Sequence, residues 1–146
     1  MFIDMDKNFF TEREANNYSP LSLAFLGDSV YDTLVREHLL RQANMPAAKL
    51  HSAKIKLVCA EYQSDAYGVL EENISEHELA VLKRGRNATG NTVPKHADAA
   101  QYRRATAVEC LFGYLFLTGQ TERICELFRI IIDQVGTRRN LPESNI

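Results

Sequence analysis

The sequence has few cysteines and no excess of charge of either sign, and each fact excludes a class of protein. Its three cysteines in 146 residues are widely spaced and include no CxxC pair, so neither a disulfide framework nor a zinc site is predicted. Seventeen Lys and Arg against nineteen Asp and Glu give a formal net charge of −2. A protein that holds nucleic acid by bulk positive charge is therefore excluded, whereas a basic patch is compatible with this balance.

Long apolar runs are also absent. No stretch approaches the roughly 20 residues that a membrane-spanning helix requires. The N-terminal sequence MFIDMDKNFFTERE has acidic residues where a secretory signal peptide has a basic segment followed by an apolar one. The cysteines are best explained as buried thiols in a reducing compartment, so we expect a cytoplasmic protein without a membrane anchor.

Alternation with period two is too short anywhere to predict a strand, and helical spacing dominates instead. Capping residues and prolines mark the helix starts, and glycines mark two ends, at Gly119 and Gly136. The predicted helices cover residues 20 to about 43, 47 to about 70, 75 to about 84, 98 to 117 and 121 to about 135. We expect one all-α domain over residues 18–136, preceded by an N-terminal extension (1–17) and followed by a polar tail (137–146).

Two acidic residues stand alone on predicted helices that are otherwise apolar. Asp28 lies between Phe25 and Tyr31 on a helix that is apolar on two sides, and Glu109 is the only carboxylate in AVECLFGYLFL, residues 107–117. A buried carboxylate is costly unless it is paired, hydrogen-bonded or bound to a cation. Either acid alone is explained by a salt bridge or a capping bond, but the two together favour a Mg²⁺ site completed by water and a substrate phosphate.

A basic segment without any acidic residue runs from residue 83 to residue 96, and it includes a predicted loop of about 13 residues, which is long for a connection. The polar side of the second predicted helix adds two lysines, together with Ser52 and Gln63. Such clusters are often merely solvated, but Arg, Lys and amide groups also suit phosphates and 2′-hydroxyls. Few exposed aromatic residues are expected, so duplex nucleic acid is favoured over single strands. The candidate RNA-binding residues are Lys83, Arg84, Arg86, Asn87, Lys95, Lys49 and Lys56.

Two stretches are similar to those that characterise the ribonuclease III family. LAFLGDSVY, residues 23–31, resembles the family's signature helix of the FLGDAV type, and TAVECLFG, residues 106–113, resembles its second acidic helix of the TVEALIG type. RGRNATGNTVPKHADAAQYRRATAVECLFGYLFL, residues 84–117, is most similar to the short bacterial branch, the Mini-ribonucleases III. That branch has the catalytic domain and no double-stranded-RNA-binding domain, and from the 146-residue length we expect none here.

The resemblance implies the helical fold of the ribonuclease III endonuclease domain, assembled as a homodimer. Asp28 and Glu109 match the family's metal-binding aspartate and glutamate. Full-length members have further acidic residues at three positions, where this sequence has Leu21, Ala24 and Thr106. The short branch is similar to this sequence in lacking those acids. The departures imply a metal ion with few protein ligands and more water or phosphate around it.

The activity that the resemblance implies is Mg²⁺-dependent cleavage of double-stranded RNA. A water activated by the metal attacks the phosphodiester and leaves 5′-phosphate and 3′-hydroxyl ends. The implied substrate is a ribosomal RNA precursor stem, at the ends of the large-subunit (23S) RNA. The alternative is a catalytically inactive, ribosome-associated protein of the same fold that binds duplex RNA; a purely structural helical dimer would not explain the two acids.

Overall fold

All regular structure in residues 8–90 and 92–139, the part of the chain that a computed structural model describes, is helical. The all-α prediction is therefore confirmed. None of the described helices is both long enough and apolar enough to cross a membrane. The helices are α1 (Glu12–Asn16), α2 (Pro20–Gln42), α3 (Ala47–Val58), α4 (Ala60–Asn73), α5 (Glu76–Arg86), α6 (Ala99–Leu117) and α7 (Thr121–Arg138).

The predicted helix starts are confirmed by their capping bonds. Ser19 accepts a hydrogen bond at its side chain from the second residue of α2, and Pro20 occupies the first turn. Ser75 and Glu78 form a reciprocal capping box at α5, with both N–H to oxygen distances near 3 Å. Asp98 caps α6 by a single bond, its side chain accepting from the backbone N–H of Gln101 at 3.0 Å. These local bonds satisfy amides that would otherwise be left without a partner, so the sequence alone locates them.

The single helix predicted over residues 47–70 is wrong. The chain breaks at Cys59, whose extended conformation (φ −67°, ψ 157°) ends α3 and begins α4. The hydroxyl of Tyr31 on α2 donates to the carbonyl oxygen of Leu57 at 2.7 Å, so a carbonyl near the end of α3 has a partner inside the core. The break also separates an exposed apolar residue, Ile55 at 49% exposure, from buried ones beyond it, Tyr62 and Ala66.

The C-terminal helix extends past its predicted stop at Gly136. Arg138 pairs with Glu72 at 2.6 Å, and Arg139, immediately after α7, pairs with Asp65 at 2.6 Å between Nε and Oδ2. Both carboxylates belong to α4, so contacts with another helix stabilise a last turn that the local sequence does not favour. Residues 140–146 of the predicted tail lie outside the described residues.

The N-terminal segment packs against the domain. Residues 12–16 of the predicted extension form α1, which begins at a Thr11–Glu14 capping box. The amide of Phe10 donates to the carbonyl oxygen of Leu117 at the end of α6, at 2.8 Å. The Phe9 ring lies against Gly119, whose positive φ of 75° ends the turn after α6 as predicted. Residues 1–7 lie outside the described part of the chain.

The centre of the fold is the crossing of α2 and α6, where two glycines allow the backbones to touch. A Cβ on Gly27 would lie 1.6 Å from the carbonyl oxygen of Glu109, and a Cβ on Gly113 would lie 1.9 Å from that of Leu23. Any larger residue would force the helices apart. Because Gly27 directly precedes Asp28, the backbone contact at the crossing brings Asp28 beside Glu109.

Candidate active site

The carboxyl groups of Asp28 on α2 and Glu109 on α6 meet at this crossing, within hydrogen-bond reach of each other. Asp28 is exposed and Glu109 is half-buried. Burial, reinforced by the hydrogen bond to Asp28 and by its charge, raises the pKa of Glu109 to about 8. Two carboxylates this close are stabilised by a proton or a cation between them, so the pair is suited to hold a positive ion.

Asp28 is exposed on the single chain, on a side of α2 that the rest of the chain covers only in part. Phe25, three residues earlier on the same face, is 86% exposed, whereas the neighbouring Ala24 and Tyr31 are buried. The second apolar side of α2 is therefore divided between the core and an open surface. Apolar periodicity cannot distinguish a face that packs within its own chain from one that is left uncovered.

Gln63 on α4 is a third side chain at the pair, and the sequence did not predict it. It is 3% exposed, and its amide donates a hydrogen bond to the Glu109 carboxylate. The sequence placed Gln63 on the polar side of one long helix, where a glutamine is normally solvated. The break at Cys59 starts a new helix and turns this residue inward. No local sequence signal marks the change, because the break depends on a contact with α2.

The donor set fits Mg²⁺. Carboxylate and amide oxygens are hard ligands of the kind that Mg²⁺ takes in proteins, and the exposure of Asp28 leaves room for water and phosphate. Within the described residues, no group of three or more His, Cys, Asp and Glu side chains converges as a metal site. Thr106 stands one turn before Glu109, and its hydroxyl donates to the Tyr102 carbonyl at 3.0 Å, so it is engaged with its own helix.

The predicted RNA-binding residues are spread over three elements. The exposed members are Lys49 and Lys56 on α3, Lys83 on α5, Asn87 at the end of α5 and Lys95 in the segment that follows. Arg86 is half-buried: its Nη1 donates to the Tyr67 hydroxyl at 2.8 Å and its Nε to the Asn87 side chain at 3.1 Å. These contacts fix Arg86 at the base of the segment between α5 and α6.

Arg84 is occupied by a structural contact. Its guanidinium donates to the Asn16 side chain at 3.1 Å, to the Asn16 carbonyl at 3.1 Å and to the Tyr18 carbonyl at 3.3 Å. It thereby ties α5 to the end of α1 and to the residues that follow it. That Arg84 also contacts RNA remains a prediction.

A cavity of about 570 Å³ lies under the segment between α5 and α6. Arg86, Arg103 and Arg104 line it, and Thr106, one turn before Glu109, lines its inner wall. Arg104 is held by Ser64 on α4, with 2.6 Å between Nε and Oγ. The cavity therefore has a cationic lining and reaches to within one helical turn of Glu109.

Known proteins share both the sequence and the fold. Residues 21–120 match the family model described as Ribonuclease III domain. A Mini-ribonuclease 3 of Brevibacillus brevis is 44% identical over 115 residues, which cover 79% of this chain and 86% of the relative. A Mini-ribonuclease 3 of Symbiobacterium thermophilum is 41% identical over 114 residues, which cover 78% and 88%. A crystal structure of a Fusobacterium nucleatum protein superposes with a TM-score of 0.73 at 30% identity, covering 81% of this chain and 94% of that one.

The helical fold, with one carboxylate on each of two crossing helices, defines an endoribonuclease of the ribonuclease III type. This chain belongs to the ribonuclease III family, and within it to the group of the Mini-ribonuclease 3 relatives. The resemblance seen in the two acidic helices is confirmed. Members of the family act on double-stranded RNA and typically dimerise.

Proposed function

We propose that this protein cleaves double-stranded RNA with Mg²⁺ as its cofactor, and that in the cytoplasm it matures the ends of the large-subunit (23S) ribosomal RNA precursor. The observation that carries the chemistry is the pairing of Asp28 with Glu109 at the Gly27–Gly113 crossing. The choice of precursor rests on resemblance to the family's short branch, whose members this chain matches over most of its length.

Asp28 and Glu109 are the residues that would hold Mg²⁺. When bound, the ion would activate a water as nucleophile and stabilise charge on the leaving 3′-oxygen, which would give 5′-phosphate and 3′-hydroxyl ends. The chain itself orients the pair: α6 presents Glu109 from the half-buried side, and α2 presents Asp28 to solvent, where a phosphodiester can approach.

The exposed cations around the site are proposed to bind the backbone of the duplex. Lysines on α3 and α5 and in the following segment point to solvent, and Arg86 is fixed by Tyr67 at the edge of the cationic cavity. Phosphate contacts of this kind give affinity without reading sequence. Asn87, at the C-cap of α5, adds an amide that can reach a 2′-hydroxyl or a base edge.

A homodimer is proposed to complete the catalytic unit. Phe25 is 86% exposed and lies one turn before Asp28, so a second copy that covers this ring would lie beside the acidic pair. A large exposed aromatic side chain on an otherwise well-packed helix is typical of an interface. Two-fold symmetry would then place two carboxylate pairs on one duplex, one for each strand.

The decisive experiment is cleavage of a labelled RNA duplex in Mg²⁺ and in EDTA, with the single strands as controls. We expect cleavage of the duplex in Mg²⁺ only, with 5′-phosphate and 3′-hydroxyl ends. Asp28→Asn and Glu109→Gln are expected to abolish it while remaining folded, and Glu37→Gln, an exposed carboxylate on α2, serves as the matched control. Cleavage in EDTA, or a near wild-type rate in either site variant, contradicts the proposal.

The substrate is tested separately. A stem made from the paired ends of the large-subunit precursor is expected to be cut at defined positions, and more efficiently than an unrelated duplex of equal length. Equal rates on both duplexes would leave the nuclease activity standing and refute the assignment of the precursor.

A further inference from the structure

Gln63 is a buried polar residue to which the proposed function assigns no role. Its side chain donates to Glu109, and the residue is 3% exposed, so it is shielded from any RNA that approaches the site. Burying an amide costs free energy unless the amide is hydrogen-bonded. Here the bond is made to a carboxylate of the acidic pair, which connects Gln63 to the chemistry of the site.

The two helices that carry the carboxylates also fix the part of the chain on which Gln63 lies. From α2, Tyr31 donates to the carbonyl oxygen of Leu57 at 2.7 Å, just before the break between α3 and α4. From α6, Arg104 donates to the Ser64 hydroxyl at 2.6 Å, just after Gln63. Gln63 therefore lies between two anchors, each made by a helix that carries one of the carboxylates. This arrangement fixes the amide relative to both acids.

We infer that Gln63 is a positioning residue, whose amide holds the Glu109 carboxylate towards Asp28 and thereby sets the affinity of the pair for a divalent cation. The inference rests on the proposed function, since it requires that the pair holds the cation. An amide is chemically suited to this task because it donates a hydrogen bond without carrying charge. A lysine or arginine would also orient the carboxylate, but it would compete with the cation for the same negative charge.

The test compares Gln63→Met, which keeps the length of the side chain and removes the donor, with a matched control. Gln134→Met makes the same chemical change on α7, where Gln134 accepts a hydrogen bond from Asn73 at the end of α4. Binding of Mn²⁺ to the RNA-free protein is followed at one pH through the electron paramagnetic resonance signal of the free ion. We expect the Kd of Gln63→Met to rise about 10- to 100-fold. For Gln134→Met we expect the Kd for Mn²⁺ to change by less than about twofold, because the hydrogen bond of Gln134 is to Asn73 and not to either carboxylate.

Steady-state cleavage gives a second measurement. The Mg²⁺ concentration at half-maximal rate is expected to rise in Gln63→Met by a factor similar to that for Mn²⁺. KM for the duplex is expected to stay unchanged, and kcat to recover at saturating Mg²⁺. A merely structural role would lower the melting temperature and the active fraction without shifting the metal requirement.

The outcomes separate the two proposals. If folded Gln63→Met binds Mn²⁺ as tightly as the wild type, the inference is refuted and the proposed function stands. If the wild type binds no Mn²⁺, or if binding persists unchanged in Asp28→Asn, the proposed function fails and the inference fails with it. Should Gln63→Met not fold, Gln63→Asn provides the test, because its amide is one methylene shorter; full Mn²⁺ affinity in that variant also refutes the inference.

Discussion

The crossing of α2 and α6 predicts a large effect from the addition of one methyl group. In Gly27→Ala the new Cβ would lie 1.6 Å from the carbonyl oxygen of Glu109, whereas real contacts of this kind are hardly ever shorter than 3.0 Å, so the atoms must separate by about 1.4 Å. Both partners belong to helix backbones and neither can rotate away. We therefore expect a cost at the upper end for overpacked sites, about 3 kcal/mol, and a Tm lower by about 6–12 °C.

The same displacement moves Asp28 relative to Glu109 without removing any functional group. A misplacement of about 1 Å can cost 100-fold in rate, so we expect cleavage to fall by about two orders of magnitude at a temperature where the variant is folded. The matched control is Gly68→Ala on α4, where the nearest atom to the new Cβ is 3.8 Å away. That variant should gain about 0.5–1 kcal/mol and keep its activity.

Thermal unfolding and single-turnover cleavage of a duplex measure the two effects on the same preparations. If Gly27→Ala melts and cleaves like the wild type, the backbone contact does not position the carboxylates and the account of the site is refuted.

Three further predictions concern stability, RNA binding and assembly. The hydrogen bonds from Arg123 hold the pKa of Glu78 below its usual range, so Glu78 stabilises the fold above the pKa of its unfolded form and that contribution is lost as the pH falls through the folded value. Glu78→Gln should therefore cost about 2 kcal/mol in urea unfolding at pH 7 and progressively less towards pH 3, and a pH-independent difference would contradict the assignment. Replacing the exposed lysines with glutamine should weaken duplex binding and lower the slope of log K against log salt by up to about one unit per residue. These lysines are Lys49, Lys56, Lys83 and Lys95. An unchanged slope would mean that they do not touch phosphate. Light scattering should give the mass of two chains for the wild type and a larger monomer fraction for Phe25→Ser, and a wild-type monomer at micromolar concentration would refute the dimer.

The helix starts and the two acids could be predicted because their signals are local. Ser19, Ser75 and Asp98 cap the next turn of their own helices, so a few residues of sequence contain both partners of each bond. The acids stand out because each interrupts an apolar run on one helix. That they share a site was predicted from the pair itself and from the resemblance, and the structure adds the cause, which is the contact between two glycine backbones 86 residues apart.

The features that the sequence did not predict depend on distant partners. The break at Cys59 is stabilised by Tyr31, 26 residues away from the Leu57 carbonyl to which it donates, and the inward turn of Gln63 follows from that break. The extension of α7 past Gly136 depends on ion pairs with α4. The exposure of Asp28 reflects an uncovered face, and composition cannot reveal what covers a face.

The connection between α5 and α6 is attached at both ends, and its far end leads directly into α6, the helix that carries Glu109. Arg86 is held by Tyr67 at one end, and Asp98 caps α6 at the other. Its two ends are therefore held by contacts that lie outside the carboxylate pair. Under the proposed function, a different segment grafted between the same two anchors is expected to change duplex binding while Asp28 and Glu109 keep their places at the glycine crossing. Under the proposed function, substrate choice and catalytic chemistry are therefore set by different parts of the chain, which makes the connection a target for engineering nucleases with new site preferences.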